Sequence, residues 1–177
     1  RSGLFAAWAS VAGLNAVCGI LIWAMLVKDF RFAYVAQYSS RLLPWYYSLS
    51  AFWVGQSGSL LLWAWFLGLL ALTYRFWPRR EASRLRETAF ALLMAYFCFL
   101  IAVMAFGADP MEPSLTVPQE GEGLSPSLQH PAMLIHPPVV FLGFAAWSVP
   151  FALALAALVS GQLDAKWIRE SRPWALL

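Results

Sequence analysis

Residues 4–27 run for 24 positions without an Asp, Glu, Lys, Arg or His. An α-helix rises about 1.5 Å per residue, so such a run reaches about 36 Å, more than the roughly 30 Å of hydrocarbon in a bilayer. Residues 42–74, 88–106 and 139–159 repeat the pattern over 33, 19 and 21 positions. A backbone surrounded by lipid must satisfy its own polar groups, and a continuous apolar run does so as a helix. The expected fold is all-α: a polytopic transmembrane helical protein with about four spans. Pro173-Trp174-Ala175-Leu176-Leu177 reads as the start of a fifth. A composition of 61% hydrophobic and 12% charged residues excludes the soluble globular class.

The 33-residue run exceeds one simple span, and Pro44 and the weak patch Gly55-Gln56-Ser57-Gly58-Ser59 divide it. Either one long tilted helix begins near Pro44, or an interfacial segment leads into a span starting near Gly58. Residues 107–138, rich in Gly, Pro, Ser and Glu, form a long loop within a single membrane portion, 1–177. The chain holds no internal repeat, P-loop, GxGxxG or HExxH. The uncharged spans argue against an ion path, and so against a transporter. Cys18 and Cys98 lie in apolar runs with no CxxC. Both read as buried small apolar residues rather than redox or metal ligands.

Charge sets the sides. Arg1, the five arginines of residues 75–87, and Lys166, Arg169 and Arg172 fall on one side, which should be cytoplasmic. The opposite side receives only Lys28, Arg31 and Arg41, together with the long loop. That loop carries Asp109, Glu112, Glu120 and Glu122 and no Lys or Arg. A split of nine basic residues against three orients the membrane and does not make a nucleic-acid surface. His130 and His136 are then placed outside, in a periplasm or a mitochondrial intermembrane space.

His136 is the leading candidate for chemistry. It stands in Ile135-His136-Pro137-Pro138, where the loop meets the last apolar run. The prolines fix φ, and Pro137 is expected to keep His136 out of the helical region and to open the next helix. An imidazole directed from that edge can ligate a heme iron lying against the membrane, or can be a loop histidine bonded to a carbonyl or water. His130 lies six residues upstream, too far for a metal pair on one helix turn, and reads as incidental. Trp45, Tyr46, Tyr47, Trp53, Trp63 and Trp65 read as an interfacial anchoring belt, with a flat wall for a porphyrin as the alternative. Gln56, Ser57 and Ser59 read as packing residues or as the polar floor beneath a cofactor. Gly55 and Gly58 would allow close approach.

Several stretches together resemble a known family. They are Asp29-Phe30-Arg31-Phe32-Ala33-Tyr34-Val35-Ala36 with Ser39-Ser40, Leu43-Pro44-Trp45-Tyr46-Tyr47, and Gly58-Ser59-Leu60-Leu61-Leu62-Trp63. Gly123-Leu124-Ser125-Pro126-Ser127-Leu128-Gln129, Ile135-His136-Pro137-Pro138, Leu163-Asp164 and Arg172-Pro173-Trp174 complete the set. The chain is similar to the N-terminal part of the CcmF/NrfE heme lyase family of cytochrome c maturation. The resemblance implies a polytopic protein of the bacterial, or mitochondrial, inner membrane. Such a protein accepts b-type heme as a carried substrate from a heme chaperone and joins its vinyl groups to the CxxCH thiols of apocytochrome c. It also implies thiol-reducing subunits as partners, and His136 as one axial ligand of heme iron, by its HPP context.

The resemblance further implies a Trp-rich WWD segment, a second outward histidine and intramembrane histidines, none of which these 177 residues contain. The remainder of the same protein, or a split partner, is expected to supply them. By itself the piece should not complete a heme site or act as a lyase. Gln56-Ser57 replaces the family's usual His-Glu or Gln-Glu, and His130 stands where Asp or Asn is common. The competing reading is a structural membrane subunit whose loop docks partner proteins.

Overall fold

Apolar residues spaced four and three apart give the first run its contact face. Ala7, Val11, Leu14, Cys18, Leu21 and Met25 are buried along one stripe of α1 (Ser2–Val27), while Phe5, Trp8 and Trp23 face outward. The computed structural model describes residues 2–77 and 83–176. Arg1, residues 78–82 (among them Arg79 and Arg80 of the basic connection) and Leu177 lie outside the described residues. After α1 come α2 (Ala33–Tyr38), α3 (Trp45–Ala51), α4 (Gln56–Phe76), α5 (Arg84–Gly107), α6 (Ala132–Ser160) and α7 (Lys166–Ala175). A 3-10 turn at Pro126–Leu128 and one isolated antiparallel bridge, Phe32 to Pro113, complete the regular structure among the described residues.

Four of these helices, α1, α4, α5 and α6, are long and apolar enough to cross a membrane. The 33-residue run resolves into α3, a break at residues 52–55, and α4. The short segment leading into a span is therefore the form adopted. α5 begins at Ser83, whose hydroxyl accepts from the Arg86 N–H, and Glu87 in its first turn complements the helix dipole. α6 ends at Gly161 in the left-handed region, φ 69°. Pro173 sits inside α7 rather than opening a further helix, and Trp174 beside it is buried.

α4, α5 and α6 pack against one another, α1 joins through α4 and α3, and α7 lies on α6. Small residues make this possible: Ala64, Gly68 and Ala71 on α4, and Ala145, Ala152 and Ala156 on α6 are all buried. Cys18 is buried as expected. Cys98 is instead exposed on α5, because it falls beside the packing stripe Leu85, Ala89, Leu93, Phe97, Leu100 and Met104.

The two ends of the bundle differ. At one end Trp8 meets Phe76 at 5.6 Å between ring centroids, and Trp174 packs on Tyr74 and Trp77. Arg86 donates there to the carbonyls of Tyr74 and Trp77 and approaches Glu170 at 3.9 Å. At the other end the first connection and the long loop interlock. Ala33 N–H donates to Glu112 O (2.9 Å), Ser114 N–H to Arg31 O (2.8 Å) and Glu122 N–H to Ala36 O (2.8 Å). Arg41 donates its backbone N–H to Glu120 Oε1 at 2.7 Å. Gly121 lies so close to the carbonyls of Ser39 and Ala36 that a Cβ has no room.

Lys28 ties this layer to α1. It takes φ 60°, ends the helix, and turns its ammonium onto Ser48 Oγ, Leu43 O (3.0 Å) and Ser39 Oγ (3.2 Å). Burial pulls its pKa below the usual lysine value. Lys28→Met should leave these acceptors unpaired and cost about 1–3 kcal/mol. In the full-length protein it should show as earlier thermal aggregation and faster proteolysis within residues 28–44. A protein as stable as wild type would mean that water replaces the ammonium without cost.

Candidate functional site

α6 starts at Ala132, seven residues before the apolar run itself, with Pro131 as its N-cap. The last part of the expected 107–138 loop is therefore helical. His136 lies within the helix and not at a loop junction, and Pro137 does not force it out. A proline disfavours a helical conformation for its predecessor and removes one ladder bond, but a partner for the freed carbonyl offsets the loss. That partner is present: Trp53 Nε1 donates to Met133 O at 2.8 Å.

His136 is exposed on α6, flanked by exposed Ile135 and Val139. Among the described residues no hydrogen bond or ion pair engages its imidazole. The arrangement offers one nitrogen donor on an apolar shelf, at the end of the bundle that carries the interlocked loops. Among the described residues no group of three or more His, Cys, Asp or Glu is placed to hold a metal ion. Within the described residues the arrangement can therefore contribute one nitrogen donor to a metal, beside exposed aliphatic side chains.

His130 does something different. Its Nδ1 accepts from the Ala132 N–H at 3.1 Å, and its carbonyl accepts from the Met133 N–H at 2.9 Å. It satisfies N–H groups of the first turn of α6, as a helix start requires. The structure does not bring the two histidines to a common metal.

The aromatic residues divide. Trp45 and Tyr46 are exposed, as a belt requires. Trp53, Trp63 and Trp65 instead pack against the core. Trp65 donates to Asn15 Oδ1 (2.8 Å), while Trp63 lies against Tyr96, Phe141 and Phe144. Ser59 Oγ donates to Trp53 O at 2.8 Å, so that hydroxyl serves packing. Gly55 and Gly58 do allow close approach: Tyr34, on α2, lies against both. Its hydroxyl accepts from the Gly55 N–H (2.9 Å) and donates to Phe52 O (3.1 Å), and burial raises its pKa. Tyr34 was legible only as part of a motif, because its partners lie far along the chain.

Two concavities accompany these residues. A polar cleft of about 490 Å³ at the loop end is lined by Gln56, Ser57, Asp109 and Glu112 among others. A larger one, about 670 Å³, opens between α4, α5 and α6 and is lined by Trp63, Tyr96, Phe144, Trp147, Ser148 and Phe151. Its lining offers no imidazole or thiol to an iron.

Residues 53–176 match the family described as cytochrome C assembly protein. The chain belongs to that family. The cytochrome c-type biogenesis protein CcmF of Pseudomonas aeruginosa is 39% identical over 173 residues, 97% of this chain and 26% of that protein. CcmF of Escherichia coli is 34% identical over 177 residues, 99% of this chain and 27% of that protein. The solved structure of a cytochrome c heme lyase CcmF matches with a TM-score of 0.76 at 31% identity, over 95% of this chain and 26% of that one. The chain thus spans about a quarter of the length of these relatives. Trp53, Met133 and His136 fall inside the residues that match the cytochrome c assembly family, whereas Lys28 and Tyr34 precede them.

Proposed function

We propose that this chain is the part of a cytochrome c maturation protein that presents His136 to heme at the outer membrane face. Heme is the carried substrate. The observation that carries the reading is the exposed imidazole between Ile135 and Val139, unengaged among the described residues. It stands at the bundle end to which the charge split assigns the outside. A neutral imidazole is a good iron ligand, and the neighbouring aliphatic surface accommodates a porphyrin edge. The remaining chain of a longer protein, or a split partner, supplies the opposite ligand. Heme arrives from a heme chaperone and leaves on apocytochrome c, whose thiols the reducing subunits keep free. The membrane is the bacterial or mitochondrial inner membrane.

Two measurements test this. Reporters active only outside the cytoplasm should be active when fused at Ser125 and silent when fused at Gly161. The reverse pattern would place His136 on the wrong side for export. In a strain without its own heme lyase, the full-length protein should restore covalent heme on cytochrome c, and a version lacking residues 1–177 should not. Equal restoration by both would leave this part no role in heme handling.

A further inference from the structure

α6 carries a defect in its first turns, and the defect has a partner. In an α-helix the N–H of residue i donates to the carbonyl of residue i−4. Pro137 and Pro138 have no N–H, so the carbonyls of Met133 and Leu134 lose their helical donors. Two adjacent missing rungs make a pivot between the first turn of α6 and the rest. Trp53, 80 residues earlier in the chain, fills the first rung with its indole N–H, 2.8 Å from Met133 O.

Trp53 is itself held. Its own carbonyl accepts from Ser59 Oγ on the first turn of α4. Its ring packs against the core, edge-on to Phe52 at 6.2 Å between centroids. Met133 and His136 are three residues apart, neighbours on the helix surface. Whatever holds the Met133 peptide therefore holds the first turn of α6, and with it the direction of the His136 Cα–Cβ bond from which the imidazole leaves the helix.

We propose that Trp53 is a positioning residue for His136: it occupies the ladder position that Pro137 leaves empty and thereby aims the imidazole. The inference rests on the reading of His136 as an iron ligand. Trp53 touches neither heme nor iron in this scheme. Its indole N–H replaces a backbone N–H, so a backbone N–H should be able to replace it in turn.

That exchange is the test. Four variants of the full-length, heme-loaded protein are compared with wild type: Trp53→Phe, Pro137→Ala, the two combined, and His136→Gly. Trp53→Phe keeps a ring and removes the N–H. It should lower the equilibrium constant for binding of the His136 imidazole to heme iron about fivefold, the size of one hydrogen bond, read from an imidazole-competition titration followed in the absorption spectrum and from the reduction potential. In heme-free protein, amide exchange in a peptide covering residues 130–140 should quicken. Adding Pro137→Ala, which returns an N–H to Met133 O, should restore both readouts, and simple loss of ring packing would not be repaired this way.

A wild-type spectrum and exchange rate in Trp53→Phe would overturn the inference while leaving the ligand reading intact, provided His136→Gly alters the spectrum. A wild-type spectrum in His136→Gly would overturn both. If Trp53→Phe fails to accumulate, recovery in the double variant supports the latch. Continued absence in the double variant marks Trp53 as a packing residue and overturns it.

Discussion

Replacing His136 with glycine in the full-length protein should lower heme retention by about tenfold or more while leaving the amount of protein near wild type. The first half follows from coordination. Changing groups that only orient a ligand typically costs metal affinity about 10–100-fold, and removing the ligand itself should cost no less. The second half follows from the structure. The imidazole is exposed and makes no hydrogen bond among the described residues, so its loss frees no buried polar group. Output of covalently loaded cytochrome c should fall in step with heme retention. Imidazole supplied in the medium should restore part of it by filling the empty coordination position. His130→Ala is the matched control, since it removes an acceptor for the Ala132 N–H and no iron bond. It should slightly weaken the start of α6, by about 0.5–2 kcal/mol, and leave output close to wild type. Equal losses from both substitutions, with protein levels falling in both, would sink the ligand reading and favour a loop that merely folds or docks.

The membrane helices were legible because each is written in consecutive residues. Charge-free runs locate α1, α4, α5 and α6 without reference to anything distant, and each has an arginine or lysine near one of its ends. The short α2 is not legible as a helix, since six residues give too few turns for a period to show, and for α3 the sequence leaves open a long helix from Pro44 or an interfacial segment. The layer they form depends on backbone bonds such as Ala33 N–H to Glu112 O, and no local pattern announces those. At the candidate site the sequence singles out His136 through its proline context but does not show its conformation. Two prolines read as the opening of a helix. They stand instead inside one, with a tryptophan 80 residues earlier answering a freed carbonyl. Cys98 illustrates the same limit: an apolar neighbourhood in sequence does not say which face of a helix is packed. In both cases the missing information is which distant part of the chain packs at that position.

Gly58→Ala should prevent the full-length protein from accumulating, or leave it destabilised by about 3 kcal/mol or more. Gly58 stands in the first turn of α4, buried where α2 and α3 converge on it. A Cβ there would run into the Phe52 carbonyl and the Tyr34 hydroxyl, at separations no real contact shows. Overpacking of this kind costs about 1–3 kcal/mol where side chains can yield, and a backbone carbonyl yields least. The displacement also breaks a network. Tyr34 accepts from the Gly55 N–H and donates to Phe52 O, and each of these buried bonds is worth about 1 kcal/mol. Tyr34→Phe in the same protein should not rescue Gly58→Ala, because the Phe52 carbonyl still blocks the Cβ. Gly19→Ala on α1 meets no atom within 4 Å and should accumulate normally, with a gain of about 0.5–1 kcal/mol from helix propensity. Thermal aggregation of detergent-purified protein and membrane levels in cells separate these outcomes. Normal accumulation of Gly58→Ala would show that α3 and α4 can part at this point. Trp53 would then have no fixed footing from which to reach Met133, and the direction of His136 would have to be set by something other than this junction.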